Sequence, residues 1–330
     1  MNCLIVGGTK FIGPSLVKEL LDKSWEVTLF NRGNEANSVP SGVNLIKGDK
    51  ADLTDFKDQF KELKLDAVVH MIADNGAEAE TFAEAFSGIA SSAVVLSSAN
   101  LYKAHARLHM LDEGPLESCP IAEDAPLRTT PLKEDEKTGR AVVEKTMLSS
   151  KLPTTILRLP PVYGPRDPRK RLYPMIMRMV ENRPFILVGE QQALWKWTHG
   201  YVENIAHAIA TAVMDIPNRH RIYNLGEQSV PTVKERMEHL GAMLDWEGDV
   251  VVMPDERLPP HLQTPGDFRQ NIIYDTSRIR SELDFVDMFD YYEGIREAAL
   301  WYAENPPEHL KNQKFNYDSE DEAVKRLRGG

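Results

Sequence analysis

The chain has 330 residues, 42% of them apolar and 27% charged, and a net charge of −11. That length and composition suit two lobes around a sizeable core and exclude gross disorder. The acidic balance argues against a general nucleic-acid binder, which would carry a basic face, but leaves room for one local basic pocket.

Asn2–Val6 is a short apolar run bounded by glycine and reads as a buried strand. It begins so close to the first residue that no signal peptide is expected, and no apolar run approaches the roughly 18 residues of a membrane span. Over Phe11–Leu21, apolar residues at Phe11, Ile12, Leu16, Val17, Leu20 and Leu21 follow helical spacing. Strands are then predicted at Val27–Phe30 and Val43–Ile46, a helix at Asp55–Leu63, a strand at Asp66–Ile72 and a helix at Ala77–Phe86. A fifth strand over Ala93–Ser97, a helix over Gly139–Ser150 and a sixth strand over Thr154–Leu159 follow. This alternation, with near-continuous apolar strands, predicts an α/β Rossmann-type doubly wound parallel sheet.

Lys103–Lys137, with four prolines, reads as a long loop on the ligand-binding face, in a lid or substrate-pocket role. In the second half, helices are predicted at Pro174–Glu181, Val202–Met214, Val233–Leu244 and Tyr291–Asn305, and strands at Phe185–Val188, Arg221–Leu225 and Val250–Met253. Residues 1–165, completed by about 200–225, are expected to form the dinucleotide-binding unit. Residues 166–199 and 226–305 are expected to form a smaller α/β substrate lobe. Residues 306–330 read as a polar tail, partly disordered or packed as an arm. Cys3 and Cys119 offer neither a disulfide framework nor zinc spacing, so a reducing cytoplasm is expected.

The loop Gly7-Gly8-Thr9-Lys10-Phe11-Ile12-Gly13 follows a strand and opens a helix, the context a dinucleotide fingerprint needs. Gly7 permits the tight turn and Gly13 the close approach of the helix. Backbone N–H groups between them face an anionic diphosphate. Lys10 replaces the usual middle glycine. The second strand ends Phe30-Asn31-Arg32, where a cofactor lacking a 2′-phosphate usually meets a carboxylate on its ribose. A guanidinium there can grip a 2′-phosphate in a forked geometry, with Lys10 beside it. NADP is therefore expected in preference to NAD.

By this point the chain resembles the extended short-chain dehydrogenase/reductase family, which holds nucleotide-sugar epimerases and dehydratases. The resemblance runs from the glycine loop through Gly48-Asp49, His70-Met71-Ile72-Ala73 and Ser97-Ser98-Ala99-Asn100-Leu101-Tyr102. It continues through Arg158–Pro165, Thr198–Ala206 and Asp275–Ile279. It implies that Asp49 and Lys50 lie by the adenine, that Ile72, Ala73 and Asp74 pass under the ribose and diphosphate, and that Pro160, Pro161 and Val162 line the nicotinamide side. Ser97 joins these cofactor contacts.

The family's proton chemistry uses a Ser or Thr after the fifth strand and a Tyr-x-x-x-Lys pair on the next helix, whose lysine lowers the tyrosine's pKa. Ser98 fits the first role. Alignment through Glu144 puts Arg140 at the lysine position and Glu136 at the tyrosine position. Tyr102 is an alternative acid. The short stretch Ala73–Ser92 also departs from the family, in a way similar to an atypical epimerase/dehydratase-like subgroup and, more distantly, to chloroplast stem-loop-binding proteins.

His105 and His109, four apart, read as solvated rather than metal-binding, since no third ligand lies nearby. Arg166, Arg169, Lys170 and Arg171 form a basic run suited to clamp a phosphorylated ligand, in preference to RNA. Trp195, Trp197, His199 and Tyr201 alternate as on one strand face. The expected substrate contacts are Asn100, Arg166, Arg171, Trp197 and His199. The leading expectation is an NAD(P)-dependent oxidoreductase or epimerase/dehydratase-like enzyme of a small polar substrate, such as a sugar or sugar nucleotide. It would work as a monomer or homodimer, without metal, membrane or nucleic acid. The alternative is a catalytically silent NAD(P) sensor, or an RNA- or protein-binding member of the same fold.

Overall fold

Seven short strands meet in one parallel sheet, whose central members are apolar and almost wholly buried beneath helices while the two edges are more polar and partly open. The computed structural model describes residues 1–34, 40–71, 73–132, 139–306 and 315–329. In chain order, the first half holds β1 (Asn2–Val6), α1 (Ile12–Asp22), β2 (Glu26–Asn31), β3 (Asn44–Lys47), a 3-10 segment (Lys50–Phe56) and α2 (Lys57–Glu62). Then come β4 (Ala67–His70), α3 (Gly76–Phe86), β5 (Ser92–Ser98), α4 (Lys103–Leu108), α5 (Arg140–Leu148) and β6 (Thr154–Leu159).

The second half begins with β7 (Val162–Tyr163), α6 (Tyr173–Val180), β8 (Phe185–Gly189), α7 (Glu190–Leu194), β9 (Gly200–Tyr201) and α8 (Val202–Met214). It continues with β10 (Arg221–Asn224), α9 (Val233–Met243), β11 (Asp249–Met253), α10 (Ser277–Leu283), α11 (Tyr291–Glu304) and α12 (Tyr317–Arg328).

The strand order is β10-β6-β5-β4-β1-β2-β3, with every pair parallel. The direction of winding reverses between β1 and β4. A crevice opens there beyond the carboxyl ends of the strands, where such sheets bind ligands. Burial explains the strands' composition: Leu4, Ile5, Val68 and Val69 are wholly enclosed. The late strand β10 closes the β6 edge in register, Ile222 beside Ile156 and Tyr223 beside Leu157. The late helix α8 covers α1. Ser15 donates to Glu203 at 2.8 Å, and Glu19 pairs with His207.

Two shorter ladders, β8 with β11 and β7 with β9, belong to the second half. The polar C-terminal segment contains a helix. α12 turns Val324 onto Phe185, Leu187, Met253 and Leu258. Its Glu320 is fully buried and meets Arg178 of α6 at 2.6 Å and His261 at 3.1 Å. The Arg178 guanidinium also lies 4.3 Å from the Phe315 ring centroid.

The expected loop after β5 is more structured than its prolines suggest. It opens with α4, which buries His105, and Ile121 bridges Tyr274. His105 is therefore not solvated: its Nε2 lies 2.8 Å from the Tyr274 hydroxyl, and burial lowers its pKa to about 3. His109 is exposed. Among the described residues no cluster of metal-ligating side chains forms, and no helix is long and apolar enough to cross a membrane.

Removing the Glu320 carboxylate strands Arg178 as an uncompensated buried charge. Glu320→Ala should cost about 3–5 kcal/mol of unfolding free energy. Urea unfolding measures it; a loss no larger than that of an exposed substitution would contradict the buried clamp.

Candidate functional site

β1 delivers Gly7 and Gly8 to the crevice with φ of 101° and 84°, values that favour glycine. The Gly7 N–H bonds to the Phe30 carbonyl at 3.0 Å, which ties the loop to β2. A Cβ on Gly13 would lie 2.3 Å from the Gly8 carbonyl oxygen, so only glycine lets α1 start this close to the strand. The start of α1 has no side-chain cap and no acidic residue in its first turn. By contrast, α3, α9 and α11 are capped by Asn75, Thr232 and Asp290. No side chain of α1's own start therefore competes with an anion for its first N–H groups. The cradle fits a dinucleotide's diphosphate. Of the other loop residues, Thr9, Phe11 and Ile12 are half-buried and Lys10 is exposed.

On the side expected to meet the adenine and ribose, Asn31 uses its side-chain oxygen locally, accepting from the Gly33 N–H at 2.8 Å. Arg32, the residue after the end of β2, is exposed. Asp49 caps the 3-10 segment by accepting from the Ala51 N–H at 3.0 Å. Lys50 Nζ lies between Asp74, at 3.0 Å, and Glu78, at 2.8 Å. Arg140, the first residue of α5, approaches Asp74 at 3.9 Å. One charged cluster thus joins the ends of β3 and β4 to the starts of α3 and α5. Ala73 is buried beside it. Glu78 was missed by sequence reading, although Asn75-x-x-Glu78 has the spacing of a capping pattern. Ile72 and Glu136 lie outside the described residues.

Beyond β5, Ser98 is half-buried, and its Oγ accepts from the Asn100 N–H at 3.3 Å. The Asn100 carbonyl accepts from Arg128 at 2.7 Å. Two expectations are corrected here. Tyr102 is not poised as an acid: it is wholly buried, donates to Asn224 at 2.5 Å and accepts from Arg158 at 2.9 Å. Burial raises its pKa further. Ser97 commits its hydroxyl to a buried bond, donating to Glu144 at 2.6 Å. Glu144 in turn receives Arg158 Nη2 at 2.7 Å, with 4% and 3% of the two side chains exposed. Arg158 also donates to the Glu123 carbonyl at 2.8 Å. A cleft of about 270 Å³ opens next to this network, walled by Tyr102, Glu117, Ser118, Ile121, Asp124 and Pro126.

On the second-half side, Pro160 and Val162 are buried. The Pro161 carbonyl accepts from the Gly200 N–H at 3.1 Å, which brings His199 to the same place. Arg166 is exposed. Arg171 is engaged locally through Nη1: it donates to the Val162 carbonyl at 2.8 Å and to Asp167 at 2.7 Å, pinning the turn after β7. Trp197 packs between Trp195 and His199, with ring centroids 5.1 and 5.2 Å away. His199 Nδ1 lies 2.8 Å from the Trp197 carbonyl. Burial and the nearby Arg236 and Arg171 hold its pKa well below the usual value. Sequence reading missed the buried partners of this region. Tyr163 donates to Glu227 at 2.5 Å, and burial pushes Glu227 up to about 7.

The chain matches the model of the NAD dependent epimerase/dehydratase family over residues 3–226. It is 22% identical to the dTDP-glucose 4,6-dehydratase of Neisseria gonorrhoeae over 92% of this chain and 96% of that protein. Identity to the dTDP-glucose 4,6-dehydratase of Streptomyces griseus is 25%, over 91% and 94%. Among solved structures, a UDP-glucose 4-epimerase superposes with a TM-score of 0.72 at 19% identity, over 93% of this chain and 99% of that one. The Thermus thermophilus UDP-glucose 4-epimerase in complex with NAD superposes with a TM-score of 0.65 at 20% identity, over 92% and 99%.

Gly13→Ala forces backbone against backbone in the cradle. It should cost on the order of 1–3 kcal/mol in stability and weaken dinucleotide binding, both measurable on one purified variant by unfolding and cofactor titration. Full retention of affinity would show that the cradle is not used. Glu144→Ala should cost about 3–5 kcal/mol, whereas pairing it with Arg158→Met should recover part of that loss. A double-mutant cycle in urea reads the coupling, and simple additivity would mean that the two side chains do not interact.

Proposed function

The chain belongs to the NAD-dependent epimerase/dehydratase family, and from that premise we propose that it is an NAD(P)-dependent enzyme acting on a sugar nucleotide by oxidation–reduction at a carbinol carbon. The observation that carries this reading is the uncapped start of α1 behind Gly7, Gly8 and Gly13, a cradle open to a diphosphate. The relatives' substrates, dTDP-glucose and UDP-glucose, supply the substrate class. A bound nicotinamide would supply the hydride acceptor or donor. Lys50, Asp74 and Arg140 hold the two sides of the crevice together, with Arg140 toward the cofactor ribose. Ser98 orients the reacting oxygen from the end of β5. The proton falls to Glu136 under this reading, since Tyr102 is committed to Asn224 and Arg158.

We also propose that Arg32 biases the site toward the 2′-phosphorylated cofactor, because it stands exposed where a ribose-binding carboxylate would otherwise repel that phosphate. The replacement of the tyrosine–lysine pair by Glu136 and Arg140 favours a second reading, a cofactor-binding protein without turnover.

Nicotinamide absorbance recorded with dTDP-glucose and UDP-glucose separates the two readings. Transient substrate-dependent reduction together with a converted sugar nucleotide is expected, because an epimerisation or dehydration returns the hydride to the sugar; tight cofactor binding with neither would leave the sensor. Titration should show NADPH binding more tightly than NADH. Arg32→Ala should weaken NADPH alone by about 10-fold or more, the size of a lost charged hydrogen bond. Tighter NADH binding by the wild type would overturn the cofactor preference.

A further inference from the structure

Arg236, on the buried face of α9, is the most unusual charge in the second half. Its residue is 6% exposed, and among the described residues neither Nη1 nor Nη2 has a hydrogen-bond partner. An arginine cannot shed its proton, and a buried cation without acceptors is costly. Its surroundings are specific. The guanidinium lies 5.9 Å from the Tyr163 ring centroid and 5.4 Å from that of Tyr291, the first residue of α11. Tyr163 presents its hydroxyl to Glu227 rather than to Arg236. Glu227 is 5% exposed and leaves its second oxygen, Oε2, without a partner as well. No carboxylate of the described residues forms an ion pair with Arg236 within 4.0 Å.

The same spot adjoins the expected reaction centre. Tyr163 directly follows Val162, and Val162 pairs in register with Gly200. The His199 ring lies 6.4 Å from that of Tyr163. Of Tyr163, His199, Glu227, Arg236 and Tyr291, only His199 is half-buried, the others being nearly enclosed. His199 is therefore the most exposed of the five.

We propose that Arg236 is an oxyanion-holding residue of the substrate site, its two terminal nitrogens completed by a phosphate or carboxylate of the substrate that enters beside His199. The proposal rests on the enzyme reading above only in calling that oxyanion the substrate's. The chemistry fits a forked guanidinium, which takes two oxygens of a planar carboxylate or of a phosphate. The neighbouring groups complete the selectivity. His199 is held neutral beside two arginines, so it adds no competing charge. Burial pushes Glu227 up to about 7 against the pull of the nearby Arg236, so near neutrality its carboxyl carries a proton for part of the time and offers Arg236 less than a full compensating charge. The Tyr291 ring closes one side, its hydroxyl 3.2 Å from His239 Nδ1.

The test uses the full chain and three probes: UDP, inorganic phosphate and glucuronate. Binding is read by calorimetry with wild type, Arg236→Met and Arg236→Lys. Cofactor titration and ligand-free unfolding are run on the same proteins. Wild type should bind at least one oxyanion probe, and Arg236→Met should lose at least about 10-fold in that affinity, the scale of a charged hydrogen bond. Arg236→Lys should keep part of the affinity. Dinucleotide binding should be unchanged, and ligand-free Arg236→Met should be as stable as wild type or more so, because an unpartnered buried cation is removed. UDP or phosphate binding without glucuronate binding assigns a phosphate, and the reverse assigns a carboxylate. Equal probe affinity in wild type and Arg236→Met overturns the proposal. So does failure of every probe to bind wild type, or collapse of ligand-free Arg236→Met, which would mark the arginine as structural. Oxyanion binding that depends on Arg236 without any turnover would sink the enzyme reading and leave this site standing.

Discussion

The buried pair of Glu144 and Arg158 organises the ligand-binding end of the sheet. Two full charges removed from water are tolerable only when every lone pair and N–H finds a partner. Here Ser97, Tyr102, Glu123 and, through Tyr102, Asn224 provide them. Asn224 passes the chain of bonds on to the carbonyls of Ile121, at 2.9 Å, and Asp275, at 3.2 Å. One ion pair therefore fixes α5, the ends of β5, β6 and β10, the segment after β5 and the approach to α10. The start of α5, where Arg140 faces Asp74, takes its position from that anchor.

The two halves of the crevice hold charge differently. On the cofactor side, acids and bases pair in partial contact with solvent: Lys50 is 22% exposed and Asp74 60%. Such pairs are individually weak and easily rearranged, which suits a surface that has to admit a ligand. On the second-half side the polar groups are enclosed, and the tyrosines near Arg236 present ring faces to it. The glycine loop depends on neither arrangement. Its geometry follows from positive φ at Gly7 and Gly8 and from the absence of a Cβ at Gly13.

The strands and main helices of the first half were legible because each carries its own period and its own breaker. β6 at Thr154–Leu159 and α8 at Val202–Met214 were read with their observed bounds. α12 was hidden because its apolar side is little more than Val324 with Ala323 and Leu327, and its docking depends on Arg178, far away in sequence. In the site, the glycine cradle announces itself locally. The fate of Tyr102 does not: its closeness to Ser98 suggested an acid, and only Asn224, 122 residues away, makes it part of the core. Likewise nothing local to Arg171 announced that its Nη1 would serve Asp167 and the Val162 carbonyl.

The late arrival of β10 also bears on how the protein is made. β6 ends at Leu159, yet the strand that covers its open edge spans Arg221–Asn224. At about 5–20 residues per second, a ribosome leaves that edge uncovered for several seconds, and α1 waits longer still for α8. During that interval the nascent chain shows unpaired β6 backbone, and the side of α1 that carries Ser15 and Glu19 still awaits α8. Asn224 is the last residue of β10, so the hydrogen bonds that lock Tyr102 form only when the sheet is complete. The dinucleotide cradle is written in the first 13 residues, but its supporting sheet and helix are finished only after more than two-thirds of the chain has emerged.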